Sequence, residues 1–61
     1  MTAKEAHKRL KELANGRYHT IELKTYHTGN QEVTLYIDSY GHASGKTWAG
    51  AVKEMEKLVA A

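Results

Sequence analysis

The chain has 61 residues, nine Lys and Arg against seven Asp and Glu, and no cysteine. This length leaves room for one domain, residues 1–61, and the lack of cysteine excludes a disulfide framework or a thiolate metal site. A net charge of +2 is far from the footprint of a strong nucleic-acid binder, and no apolar run approaches a membrane span.

Thr2-Ala3-Lys4-Glu5 reads as a capping box, in which the threonine hydroxyl and the glutamate carboxylate each satisfy an orphan amide. Behind it Ala3, Ala6, Leu10, Leu13 and Ala14 recur at helical spacing, so a helix is predicted over residues 3–14, stopped by Asn15-Gly16. Lys4, His7, Lys8 and Arg9 interrupt the apolar stretch that a signal peptide would need, so a cytoplasmic location is expected.

From His19 the period changes to two. Ile21, Leu23 and Thr25 alternate with Thr20, Glu22 and Lys24, and beyond His27-Thr28-Gly29-Asn30 the alternation resumes with Val33, Leu35 and Ile37. A two-residue turn at Gly29-Asn30 would set the two apolar rows on opposite faces. A three-residue loop, Thr28 to Asn30 with Asn30 left-handed, keeps them together and pairs Leu23 with Leu35 and Ile21 with Ile37. Asp38-Ser39-Tyr40-Gly41 reads as a type I turn leading to a short third strand, His42 to Ser44, with Ala43 beside Ile37. A tighter turn at Asp38-Ser39 would instead point His42 inward; the longer turn, with His42 outward, is favoured.

Thr47 is the expected cap of a last helix whose stripe is Trp48, Ala51, Val52, Met55, Leu58 and Val59, with Trp48 as a core anchor. The predicted class is therefore α+β, in the order α-β-β-β-α: a three-stranded antiparallel meander with both helices on one face and the other face open.

Chemistry-bearing patterns are few. Gly41-His42-Ala43-Ser44-Gly45-Lys46-Thr47 resembles a phosphate-binding loop, but three residues separate its glycines where four are required. The number of backbone amides presented defines such a nest, so nucleotide hydrolysis is excluded. His7, His19, His27 and His42 have neither metal-ligand spacing nor companion ligands. No catalytic residue, metal or cofactor is expected, and the protein is read as a non-enzyme.

The open face is the more informative surface. Its expected cross-strand rows are Thr20–Asp38–His42, Glu22–Tyr36–Ser44, Lys24–Thr34 and Tyr26–Glu32, with Tyr18 near one end. Tyrosine offers contact area and a polar tip at low entropic cost, so Tyr18, Glu22, Lys24, Tyr26, Tyr36, Asp38 and His42 are the candidate partner-binding residues. Lys4, Lys8 and Lys11 line one flank of the first helix and Lys46 precedes the last; these are the candidate contacts for an anion or nucleic acid.

Ser44-Gly45-Lys46 before the last helix, with the α-β-β-β-α order, resembles double-stranded-RNA-binding domains, which implies a phosphate contact at Lys46. Gly45, Thr47 and Ala51 resemble the final strand–helix junction of HicB-like antitoxin domains. Over its whole length the chain resembles short phage and prophage proteins with a charged first helix, a strand hairpin and a Gly-Lys-Thr helix start. That resemblance implies an accessory protein that binds and modulates or inhibits a host protein, such as a defence component, in the host cytoplasm. The expected function is protein binding, to a host protein or to a second copy of the chain. A weak nucleic-acid-binding domain and a HicB-like antitoxin module are the alternatives.

Overall fold

The capping box forms as the sequence indicates. The Thr2 hydroxyl accepts from the Glu5 N–H at 3.2 Å, and the Glu5 carboxylate accepts from the Thr2 N–H at 2.8 Å. These hydrogen bonds hold the Glu5 carboxyl below its ordinary range, the backbone one contributing most. In the computed structural model, which describes residues 1–61, the helix so started is α1, Ala3–Ala14. Asn15 closes it in the left-handed conformation, its N–H bonded to the Lys11 carbonyl.

The chain then runs through β1 (His19–Thr25), β2 (Gln31–Ile37) and β3 (Gly41–Gly45) to α2 (Trp48–Ala60). The strands form one antiparallel sheet in the order β1-β2-β3. This is the predicted α+β architecture, and one apolar cluster joins the sheet to both helices.

The register differs from the expectation by two residues. Leu23 pairs with Val33, Ile21 with Leu35 and His19 with Ile37. Glycine placement explains the shift. The Tyr26 N–H bonds to the Asn30 carbonyl and the Gly29 N–H to the Tyr26 carbonyl, so the three-residue loop is His27–Gly29. Its left-handed position falls on Gly29, at φ 90°, where no Cβ resists it, and not on Asn30. Moving the loop by one residue moves the pairing by two, and a shift of two leaves every side chain on its original face.

The second turn behaves alike. The Tyr40 N–H closes on the Ile37 carbonyl, not Gly41 on Asp38, and Ser39 and Gly41 take positive φ. Ala43 therefore lies opposite Leu35 and not Ile37, still on the helix side, and His42 lies opposite Tyr36 and faces outward.

Ala6, Leu10 and Ala14 of α1, Val33, Leu35, Ile37 and Ala43 of the sheet, and Ala51, Val52 and Met55 of α2 form the buried core. Trp48 packs against the core as the sequence indicates, but less deeply than a core anchor would. It is half-buried at the core's margin, tilted against His7 with ring centroids 6.5 Å apart. Its place at the first position of α2 lets the indole cover the core's edge while Met55, deeper in the helix, fills the centre. Arg9 bridges the helices, its Nε and one Nη donating to Glu56 at 2.9 and 2.8 Å.

Gly45 is where α2 meets the sheet. A Cβ built there would lie 2.5 Å from the Ala51 backbone nitrogen and 2.8 Å from the Gly50 carbonyl carbon. The glycine of the loop-like string is thus a packing residue at the end of β3. Thr47 caps α2 by accepting from the Gly50 N–H at 3.0 Å. No helix is long and apolar enough to cross a membrane.

Candidate partner-binding face

Even-numbered residues of β1 and β2 point away from the helices, so the open face carries Thr20, Glu22, Lys24, Glu32, Thr34 and Tyr36, with His42 and Ser44 from β3. Because of the register, the rows are Thr20–Tyr36–His42, Glu22–Thr34–Ser44 and Lys24–Glu32. The expected Asp38–His42 pairing does not occur, and Glu22 faces Thr34 and not Tyr36.

This shift sorts the candidates into two groups. At one end Tyr36 is central: its ring lies 4.6 Å from that of His42 and 6.3 Å from that of Tyr18, the latter edge-on. Such distances are those of mutually supporting aromatic contacts. The Tyr36 hydroxyl donates to the Asp38 carboxylate at 2.6 Å, fixing the ring's direction, while Tyr18 is 65% exposed. The Asp38 N–H in turn bonds to the Tyr18 carbonyl, which ties the turn to the start of β1. Four candidates from the sequence, Tyr18, Tyr36, Asp38 and His42, therefore form one patch.

The hydrogen bond to Asp38, with lesser help from burial and from the carboxylate's charge, raises the Tyr36 phenol above its ordinary value of 10.0. In the folded chain the protonated phenol is favoured, so its stabilising effect is complete at neutral pH and is lost as pH rises through the raised value. In an NMR titration the Tyr36 ring signals should shift at a higher pH than in the Asp38→Asn variant. Coincident midpoints would show that the carboxylate does not hold the phenol in solution.

The other group lies toward the β1–β2 hairpin. Lys24 pairs with Glu22 at 3.4 Å, and the Tyr26 hydroxyl reaches Glu32 at 3.5 Å. A shallow groove of about 540 Å³ opens beside it, lined by Tyr26, Asn30, Glu32, Ser44 and Lys46 among others. Glu32 was missing from the sequence candidates, although its alternation already placed it on this face. Between the groups the Thr34 and Ser44 hydroxyls lie 3.3 Å apart.

Lys4, Lys8, Lys11 and Lys46 are exposed, and none has a carboxylate within ion-pair reach. Lys46 lies at the groove, apart from the aromatic patch. No three His, Asp or Glu side chains converge as metal ligands would. The arrangement offers contact area, oriented hydrogen-bonding groups and charge, which is the equipment of a binding surface. No known protein family matches the chain, and no curated protein or solved structure resembles it significantly.

Proposed function

We propose that this chain is a non-enzymatic protein-binding module that presents its open sheet face to a partner. The observation that carries the reading is the Tyr18–Tyr36–His42 patch on the open face, in which the half-buried central ring is held in place by Asp38 between exposed Tyr18 and His42. A pre-oriented aromatic loses little entropy when a partner covers it, and tyrosine is among the residues that dominate binding hot spots. The resemblance to short phage and prophage proteins supplies the biological setting: an accessory protein that binds and inhibits a host protein in the host cytoplasm.

The test is capture of partners from bacterial lysate, followed by affinity measurement with the captured protein. Tyr36→Ala should weaken binding roughly thirtyfold or more. Its circular dichroism should be unchanged, because Tyr36 points away from the helices. A folded Tyr36→Ala protein that binds at full strength would overturn the open-face assignment.

The unpaired Lys4, Lys8, Lys11 and Lys46 favour a second reading, weak contact with nucleic acid. That contact must weaken steeply with salt, since each phosphate engaged releases counterions. Retention of duplex RNA or DNA that is salt-sensitive and lost when Lys4, Lys8 and Lys11 are changed to Ala would move the assignment to this reading.

A further inference from the structure

The free edge of β1 is a second surface, separate from the aromatic patch. Its backbone groups are unpaired, and hydrogen bonds at its two ends establish which residues present them. The Tyr18 carbonyl and the Tyr26 N–H both bond toward β2. Backbone groups alternate in direction along an antiparallel strand, so the residues presenting theirs to the outside are His19, Ile21, Leu23 and Thr25. On the helix side of this edge the cover is incomplete: Ile21 is half-buried and Leu23 is 46% exposed, although Val33 beside it is buried. A seven-residue edge strand carrying a bare leucine is a template for another strand.

The side chains specify which strand. Leu23 is flanked by Glu22 and Lys24, both on the open face and both more than half exposed. If a second β1 runs antiparallel with the two-fold axis at Leu23, each Glu22 stands opposite the partner's Lys24. In the same register Leu23 meets the partner's Leu23, and Ile21 meets the partner's Thr25. Both of these pairs have outward-pointing backbone groups, so each exchanges N–H···O bonds in both directions. Shifting the axis to Glu22 or to Lys24 would set like charges directly opposite, which is destabilising. Shifting it to Ile21 leaves Glu22 opposite the partner's Thr20 and the leucines apart.

We infer that the chain forms a homodimer by antiparallel β1–β1 pairing centred on Leu23, which joins two three-stranded sheets into one. A two-fold axis normal to the sheet keeps both helix layers on one side and both aromatic patches on the other. The dimer would therefore present the partner-binding patch twice on one continuous face. The pairing stands whether or not that patch binds a partner.

Sedimentation across a concentration series of the full chain, with charge reversals on the open face, tests the pairing. The unmodified chain should shift from monomer to dimer as concentration rises. Glu22→Lys and Lys24→Glu should each weaken dimerisation roughly tenfold or more, because both symmetry-related pairs become repulsive. The double variant, and an equimolar mixture of the two single variants, should regain association, since opposite charges then face each other again. Both positions are exposed, and circular dichroism verifies that each variant is folded. A chain that stays monomeric at about millimolar concentration, a dimer indifferent to the single reversals, or a mixture that fails to associate would each overturn the proposal.

Discussion

Replacing Gly45 with alanine should destabilise the fold severely, although the change adds one methyl group. The new Cβ would sit 2.5 Å from the Ala51 nitrogen and 2.8 Å from the Gly50 carbonyl carbon. Both are backbone atoms of α2, so no side chain can rotate aside. The helix must move away from β3 and thereby loosen Ala51, Val52 and Met55, all of which are buried against the sheet and α1. Overpacking of this kind costs about 1–3 kcal/mol and occasionally more. Each kcal/mol lowers the melting temperature of a domain this small by about 4–8 °C. We therefore expect a fall of about 15 °C for Gly45→Ala and no folded population for Gly45→Val. Gly45 does not take a positive φ, so backbone strain contributes nothing and the loss is steric. Thermal melts read the effect. An alanine variant that melts with the unmodified chain would mean that α2 does not lie this close to β3.

Leu35→Ala should be comparably damaging for the opposite reason, a void in place of a collision. Leu35 is on the central strand, 0% exposed, with Ile21 and Ala43 as its cross-strand neighbours. Truncating a buried leucine costs about 2–5 kcal/mol, the upper end applying where the surroundings cannot collapse. A strand paired on both sides, as β2 is, moves little to fill the void. Total stability for a chain of this length is on the order of 3–9 kcal/mol, so the variant should be largely unfolded or unfold at much lower urea. The adjacent Tyr36→Ala should keep its urea midpoint close to that of the parent. That contrast reads the two sides of one strand independently: two variants with equal losses would show that the sheet does not separate a core face from an open one. The half-buried Trp48 should cost less when truncated than a buried aromatic would, because part of its surface is already in water.

These outcomes bear on how the chain can act. A core of small and medium side chains leaves little spare stability, and isolated exposed ion pairs such as Lys57–Glu54 contribute weakly. Covering the open face, or extending the sheet at β1, would therefore stabilise the fold as well as serve binding. Partner binding should raise the melting temperature for the same reason.

Much of the architecture was legible in the sequence, because local physics wrote it there. The capping box at Thr2 and Glu5, the cap at Thr47 and the two helical stripes specify α1 and α2 through short-range hydrogen bonds and periodic burial. The alternation in β1 and β2 fixed which residues face the helices, because any even shift of register preserves the faces. For that reason the partner-face candidates from the strands were placed on the correct side despite a register two residues away.

What the tertiary structure decided was distance across the chain. Which glycine takes the left-handed turn position depends on the relative cost of Gly29 and Asn30 in a closed loop, and periodicity is indifferent to the two choices. That decision brought Tyr36 beside His42 and Tyr18 and separated them from Glu22 and Lys24. Trp48 belongs to the apolar stripe by spacing, yet its burial depends on where α1 crosses α2. Gly45 stood out in the sequence only as a glycine of the phosphate-loop-like string, and its packing role became visible once the backbone of α2 stood within contact of it. Short-range pattern determines element and face; register, burial depth and close approach are settled by contacts between residues far apart in the chain, where no local signal reaches.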